Sequence, residues 1–316
     1  MTKFSGKTIN VWIVIEASPG AGGVPDTWFK WNELSLQNKV THVMDESSLW
    51  NIVDVADTEI SSEYAEWGLW GNVAPISIGW LLYLIFWQAP VTTGAGPIYD
   101  HTFELLNANT QQTAGITIER PTDELQHTLS YVENMTISAE IDGYVTVSMN
   151  VKGKKWTVVT HTASFTDEKA FVANMLKLYV ADEWDNPLLD PNICLKSFEL
   201  VLTRDQEEDR CMSDIAMGEQ ITNKFIITGS FEVTMEDSDD MDDYCNNQYK
   251  AISIVIENAD SDILTFTMPK AVYVNRTPAM SLDAITKQTI EFKGLYSTSE
   301  SKAINAVLEN TLASYV

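Results

Sequence analysis

Apolar and polar residues alternate along much of the chain. In residues 224–235 (KFIITGSFEVTM) one set of alternate positions is largely apolar and the other largely polar. A period of two is typical of a β-strand with one buried face and one solvated face. The same criterion predicts a mainly β protein, with further strands over residues 8–15, 33–43, 115–120, 144–151, 176–181, 197–203, 251–257, 263–268 and 289–295.

Helical patterns are few. We expect short helices at residues 76–88 and 239–247, and a third at 166–173. The first contains the most apolar stretch, ISIGWLLYLIFW, which is soon followed by Pro90. A membrane-spanning helix needs about 20 apolar residues, so we expect a buried helix and no membrane span. The first 20 residues also lack the pattern of a secretory signal peptide.

The two halves of the chain follow a similar order. In each, a β-run leads to a helix, then to two strands separated by an acidic turn (121–124 and 258–262), and then to a closing strand. We interpret this order as two tandem β-sandwich or β-barrel domains, each with a short flanking helix, over residues 1–165 and 166–316. The first domain carries a long insertion near residues 89–113.

The charge balance narrows the choice of partners. The chain holds 20 Lys plus Arg against 45 Asp plus Glu, a formal net charge of −25. A protein that grips nucleic acid needs a basic surface to displace counterions from phosphates, and anionic membranes also attract basic segments. The negative net charge therefore argues against a nucleic-acid-binding protein and against a protein that binds anionic membranes. Three cysteines at no metal-ligand spacing argue against a disulfide framework.

The sequence lacks catalytic motifs. Its four histidines stand in no metal-ligand pattern, the Gly-rich stretch 20–23 lacks the Lys of a P-loop, and Ser230 lacks the second glycine of a nucleophile elbow. We therefore predict a protein that is not an enzyme and holds no cofactor or metal. The acidic run 236–243 (EDSDDMDD) lacks EF-hand spacing, which leaves a solvated turn that begins a helix, or a calcium loop, as alternatives.

An ordered series of segments resembles the tail tube (major tail) proteins of long-tailed bacteriophages. The segments of the C-terminal half are the GSFEV strand (229–233), LTFTMPKAVY (264–273), QTIEFKGLY (288–296) and the late residues Asn310 and Tyr315. Those of the N-terminal half are residues 47–54, 66–87 and 99–103. Residues 18–26 and 154–166 are the least similar, and the density of Trp over 67–87 departs from the family pattern.

The resemblance implies a structural virion protein whose β-domains stack as rings into a hollow tube for double-stranded DNA. Expected partners are further copies of the chain, a tape-measure protein, and tail-tip and terminator proteins. The expected location is the phage tail, after assembly in the host cytoplasm. Two tube-like domains per chain imply three chains in a pseudo-sixfold ring, whereas one lumen-forming domain implies six. Another tail or baseplate ring protein and a carbohydrate-binding β-protein are the alternatives.

Two sets of site residues follow from the resemblance. An acidic lumen would repel DNA and let it slide, and its expected contributors are Glu119, Glu140, Glu232 and Glu236. The Gly- and Pro-rich stretch 89–97 predicts a loop that lies on a neighbouring subunit. Its candidate contacts are Thr92, Thr93, Gly94, Tyr99 and His101.

Overall fold

Strands make up most of the structure, as the alternation predicts. The computed structural model describes residues 5–25, 27–47, 54–55, 57–94, 96–105, 112–161, 166–183, 185–189, 191–235, 239–280, 282 and 285–315. The strands are β1 (Asn10–Ile15), β2 (Thr27–Phe29), β3 (Trp31–Asp45), β4 (Asp57–Asn72), β5 (Val91–Thr93), β6 (Tyr99–Glu104), β7 (Ala114–Arg120), β8 (Asp123–Glu140), β9 (Thr146–Gly153), β10 (Thr157–Val158), β11 (Leu176–Asp182), β12 (Leu195–Asp209), β13 (Glu219–Thr234), β14 (Tyr249–Glu257), β15 (Ile263–Ala279), β16 (Lys287–Gly294) and β17 (Asn305–Asn310). The α-helices in these ranges are α1 (Ser77–Phe86) and α2 (Asp239–Cys245).

The two α-helices confirm two of the three predicted helices. Each begins within a residue of its expected start. No helix in the described ranges has the length and apolar character needed to cross a membrane.

One strand plan occurs twice in the chain. β1, β3, β4, α1, β7, β8, β9 and β10 correspond in order to β11, β12, β13, α2, β14, β15, β16 and β17. The antiparallel pairings correspond as well. β4 pairs with β3 and β9, as β13 pairs with β12 and β16. β8 pairs with β7, β9 and β10, as β15 pairs with β14, β16 and β17. We call these two sets the first and second repeat.

Irregularities of strand register also repeat. The β3–β4 register shifts after Trp31 and again after Thr41, and the β12–β13 register shifts after Leu195 and again after Asp205. The two shifts are therefore equally spaced in both hairpins. The β8–β9 and β15–β16 ladders each shift once, at corresponding places. Bulges are specific features that related folds retain, so their coincidence identifies equivalent residues in the two repeats.

The predicted boundary at residue 165 falls between β10 and β11. Its division of the chain into two domains stays a prediction, because ladders between described strands cross this boundary. β8 pairs with β12, and β6 pairs with β17 so that Tyr99 lies opposite Asn310. β5 and β6 occupy the segment that the sequence indicates as an insertion, and this insertion in the first repeat extends the sheet of the second.

Eight strands form a continuous series of antiparallel ladders, in the order β3-β4-β9-β8-β12-β13-β16-β15. We call this series the eight-strand ladder. Its first four strands belong to the first repeat and its last four to the second. They meet where β8 pairs with β12, with Glu140 opposite Ser197 and Asn134 opposite Thr203. We call this contact the internal joint.

One face of the eight-strand ladder packs into the core. In β12, Phe198, Leu200 and Leu202 are at most 3% exposed. They share a continuous apolar cluster with α1, which is buried along its whole length. Burial of each large apolar side chain contributes about 1.5–3 kcal/mol, so this shared core is a main source of cohesion between the repeats.

The third predicted helix is wrong. Residues 166–171 contain no helical turn, and a short 3-10 turn begins only at residue 173. The backbone N–H of Phe171 donates to the carbonyl of Val73 at 2.8 Å. The carboxylate of Glu168 accepts from the backbone N–H groups of Ile76 and Ser77 at 2.8 and 3.0 Å. Tertiary contacts thus hold the segment in a non-helical conformation, in which Glu168 satisfies free amides at the start of α1.

Candidate functional site

The second face of the eight-strand ladder is polar. Its side chains come from the positions between the buried ones, such as Thr136 and Ser138 on β8, Glu199 on β12 and Ser230 on β13, which are half-buried or exposed. Because the strand period is two and the register continues across the internal joint, these positions lie on one surface. We call this surface the polar face.

Carboxylates outnumber lysines on the polar face. Between the two register shifts of each long hairpin, the ladder strands place seven glutamates and one aspartate there against five lysines, an excess of three negative charges per chain. The carboxylates are Glu33, Glu66, Glu133, Glu140, Glu199, Asp205, Glu232 and Glu291, and the lysines are Lys39, Lys152, Lys224, Lys287 and Lys293.

Neighbouring carboxylates engage most of these lysines. Lys152 Nζ lies 2.6 Å from Glu133, Lys287 Nζ lies 2.8 Å from Glu232, and Lys39 Nζ lies 3.6 Å from a third carboxylate. Burial works to lower the pKa of Lys152, but its hydrogen bond to Glu133 and that carboxylate's charge raise the pKa on balance. Half-exposed ion pairs contribute only about 0–1 kcal/mol each. Their main effect here is to neutralise positive charge on this surface.

The predicted lumen residues occupy different places. Glu140 and Glu232 lie on the polar face. Glu119 lies on β7, outside the eight-strand ladder, where its carboxylate accepts a hydrogen bond from Asn10 Nδ2 at 2.8 Å. Glu236 lies outside the described residues.

The sequence reasoning missed the other polar-face carboxylates, which are Glu33, Glu66, Glu133, Glu199, Asp205 and Glu291. The run LKSFELVLT (195–203) alternates as clearly as residues 231–236. It puts Glu199 on the face opposite Phe198 and Leu200, and this signal could have identified Glu199.

The residues predicted to contact a neighbouring subunit lie in two different environments. Thr92, Thr93 and Gly94 are exposed, whereas Tyr99 and His101 lie in β6, which pairs with β17. The His101 ring is fully buried. Its Nδ1 lies 2.9 Å from Thr92 Oγ1, and its Nε2 lies 2.8 Å from the carbonyl oxygen of Leu312. Burial lowers the pKa of His101. The imidazole therefore ties together elements of its own chain.

The outer strands of the eight-strand ladder have open edges. β3 pairs with β4, and the described residues give its other edge no ladder partner. β15 pairs with β16, and from Asn275 to Ala279 its other edge has no ladder partner in the described ranges. Open edges carry unpaired backbone N–H and C=O groups that can pair with another chain.

In the described ranges, no cluster of three or more His, Cys, Asp or Glu side chains is placed to hold a metal ion. The acidic run 236–243 lies partly outside those ranges, so its two interpretations stay open.

Two solved structures are similar to part of the chain. One is a chain of the anti-feeding prophage (AFP) baseplate, determined by cryo-electron microscopy with sixfold symmetrisation. The identity is 13%, the TM-score 0.32, and the match covers 42% of this chain and 92% of that one. The other is an Hcp protein crystal structure, at 8% identity and a TM-score of 0.26, covering 43% of this chain and 99% of that one.

Sequence comparison gives the family. No curated protein sequence matches the chain. The family model of the phage tail tube protein matches residues 6–294, which is most of the chain. The chain therefore belongs to the phage tail tube protein family.

Proposed function

We propose that the chain assembles into stacked rings that form a hollow tail tube, and that the polar face lines the lumen through which double-stranded DNA passes to the host. The observation that carries this proposal is the continuity of the polar face across both repeats, with its excess of three carboxylates. Membership in the tail tube family supports a structural role in the virion. The formal net charge of −25 has the sign that such a wall needs.

The chemistry of the polar face suits a conduit. Duplex DNA carries about one negative charge per 1.7 Å of its axis, and free lysines would bind it by displacing counterions. A carboxylate wall repels the duplex from all sides and lets it slide. This repulsion acts over about 8 Å at physiological ionic strength, so it is effective only in a bore whose wall lies close to the DNA.

In this proposal Glu140 and Glu232 face the lumen, together with Glu199 and Glu291. The further partners are a tape-measure protein inside the tube before DNA enters, and tail-tip and terminator proteins at its ends. Assembly takes place in the host cytoplasm.

Negative-stain electron microscopy tests the assembly. The purified chain is imaged at rising concentration, alone and with a tail-tip complex as nucleus. Hollow tubes are expected. Single rings that never stack would instead indicate a baseplate or other ring protein. A monomer that persists with the tail-tip complex would contradict the proposal and lead to a screen of sugars for a carbohydrate-binding protein.

Charge reversal tests the lumen. In Glu199→Lys with Glu291→Lys, two of the exposed polar-face carboxylates become cations. The matched control reverses Glu104 and Glu300, which are exposed outside the eight-strand ladder. Tubes of each variant are mixed with a short labelled duplex. We expect retention only by the Glu199/Glu291 variant, with retention lost as salt rises. Equal retention by the two variants would contradict the lumen assignment.

A further inference from the structure

We propose that the open edge of β3 pairs with the open edge of β15 in the next copy of the chain, in the register of the internal joint, and that three chains close the ring. This inference rests on the proposed ring assembly. It adds the strands that meet, their register and the number of chains.

The internal joint supplies the template. Within the chain, β8 of the first repeat pairs with β12 of the second. β15 is the counterpart of β8, and β3 is the counterpart of β12. Repeating the same joint between chains therefore places β15 of one chain beside β3 of the next. In the described ranges, these two edges lack the ladder partner that their counterparts have.

The coincident bulges allow the register to be transferred residue by residue. Residues 197–205 of β12 correspond to 33–41 of β3, because both runs lie between the same two register shifts. Residues 134–138 of β8 correspond to 275–279 of β15, because both follow the single shift against β9 or β16.

The transferred register names the pairs between chains. In the internal joint, Val201 lies opposite Thr136. The corresponding pair between chains is Gln37 opposite Thr277, with both residues exposed. The same step places Ser35 opposite Ala279, Lys39 opposite Asn275 and Leu34 opposite Met280.

Apolar side chains at the open edges fit this pairing. Phe198 and Leu200 are at most 3% exposed in the internal joint. Their counterparts Leu34 and Leu36 lie at the margin of the core and are only half-buried. Met280 is 71% exposed. Pairing between chains brings Met280 against Leu34 on the core side and continues the shared core from chain to chain.

Pro278 occupies the position that corresponds to Ile137. Proline lacks a backbone N–H, so the joint between chains has at most one ladder hydrogen bond fewer than the internal joint. Prolines in sheets are confined mainly to edge strands and bulges. This position therefore agrees with β15 being an edge strand of the isolated chain.

The width of the bore selects the number of chains. Each chain adds eight strands, and at about 4.8 Å per strand three chains give a wall of roughly 115 Å circumference and 37 Å diameter for strands along the axis. Side chains reaching about 5 Å inward leave about 27 Å, which admits a duplex about 20 Å wide. Two chains leave about 14 Å and six about 63 Å by the same arithmetic. Strand tilt widens each diameter by up to about 1.4-fold, which still gives a two-chain ring little clearance.

Disulfide trapping tests the register. The exposed residues Cys194, Cys211 and Cys245 are first replaced by serine. Gln37→Cys and Thr277→Cys are then combined in the full chain, and tubes grown on a tail-tip complex are oxidised mildly. Directly opposite residues have Cα atoms about 4.5–5.5 Å apart, which suits a disulfide. We expect a non-reducing gel to show species of one, two and three chains and none larger.

Two matched pairs control the trapping. Val201→Cys with Thr136→Cys reports the same geometry inside one chain and should close without joining chains. Ser35→Cys with Asn275→Cys is four residues out of register, which separates the Cα atoms by about 13 Å and should give no disulfide.

The outcomes separate this inference from the proposed function. Tubes that form without the 37–277 disulfide, while the 136–201 pair closes, would overturn the edge pairing and leave the tube intact. A gel series that extends to six chains would overturn the three-chain ring. An absence of tubes with the tail-tip complex would overturn the proposed function itself. If the cysteine variants do not assemble, cryo-electron microscopy of unmodified tubes shows directly whether β3 lies beside β15 of the next chain.

Discussion

Arg204 Nε donates a hydrogen bond to the carbonyl oxygen of Ile85 at 2.6 Å, and so joins a strand of the second repeat to the last turn of α1 in the first. The guanidinium carbon lies 4.0 Å from the ring centroid of Trp87 and 5.2 Å from that of Phe225. A cation at a helix C-terminus complements the helix dipole. Arg204 is 3% exposed, and burial lowers its pKa to about 9.

Replacing Arg204 by alanine should lower the free energy of unfolding by about 3 kcal/mol, because it leaves a cavity between two rings and an unpaired carbonyl. Arg204→Met should recover much of this loss, since it restores apolar volume and removes a buried charge. Urea unfolding followed by Trp fluorescence measures both. Arg210→Ala, at an exposed position, is the control. If Arg204→Ala and Arg210→Ala lower the free energy of unfolding by equally small amounts, Arg204 does not stabilise the contact between α1 and the second repeat.

The sequence predicts the strands where one face is apolar and the other polar. β12 and β13 follow that rule, and so they were predicted. β4, β6 and β17 were missed as strands. β4 begins with the polar run DTEISSE, and β6 is mostly polar although His101 and Phe103 are buried. Their strand character comes from pairing with distant segments, which the local pattern does not contain.

The site was predicted less completely, for a related reason. Alternation shows which residues of one strand share a face, but it does not show which strands are neighbours. The polar face depends on the internal joint, where Glu140 meets Ser197 across a separation of more than fifty residues. Only the register of that joint places Glu199 and Glu232 on the same surface as Glu140.

The carboxylate of Glu16 fastens the loop that follows β1. It is 3% exposed, and it accepts hydrogen bonds from the backbone N–H groups of Gly20 and Gly22 at 2.7 and 2.9 Å and from Thr113 Oγ1 at 2.6 Å. Gly20 and Gly22 both have positive φ, which suits glycine. The backbone N–H of Leu129 lies 3.2 Å from the same carboxylate.

Glu16→Gln should destabilise the chain by about 2 kcal/mol, because the new amide N–H groups face backbone donors and cannot accept from them. We also expect faster cleavage in residues 17–25, measured by limited proteolysis and mass spectrometry. The control is Glu104→Gln, an exposed carboxylate on β6. Protection of this loop equal to that in the control variant would rule out the fastening role.

Gly79 provides the space that the ring of Tyr315 occupies against α1. A Cβ at residue 79 would overlap the Cζ and hydroxyl of that ring. The Tyr315 hydroxyl donates to the carbonyl of Ile76 at 3.0 Å and accepts from Asn310 Nδ2 at 2.6 Å. The C-terminal tyrosine and asparagine thereby secure the start of α1.

Gly79→Ala should lower the free energy of unfolding by about 2–3 kcal/mol, although alanine favours a helix over glycine by about 1 kcal/mol. Tyr315→Leu should reduce the penalty of Gly79→Ala, so the two changes should be non-additive in a double-mutant cycle. Gly6→Ala, with no atom within 4 Å of the new Cβ, is the control. Strict additivity would show that the ring does not restrict residue 79.

His127 should make stability depend on pH. Its ring is fully buried beside Trp67, with the centroids 4.8 Å apart, and Nδ1 lies 3.1 Å from the carbonyl oxygen of Lys154. Burial lowers the pKa of His127 from 6.5 to about 4. The unfolded chain therefore binds more protons than the folded chain between pH 4 and pH 6.5, and stability falls as the pH falls through that window.

A gap of this size corresponds to about 3 kcal/mol between pH 7 and pH 4, at 1.36 kcal/mol per pKa unit. We expect His127→Gln, whose amide can still donate to Lys154, to lose about that much less stability than the parent chain over the same range. His42→Gln removes an exposed histidine on β3 as the control. Urea unfolding at pH 7, 5.5 and 4 measures all three proteins. If His127→Gln and His42→Gln lose stability in parallel with the parent chain, the acid sensitivity arises from other groups. His127 then does not take up the proton on unfolding that its lowered pKa implies.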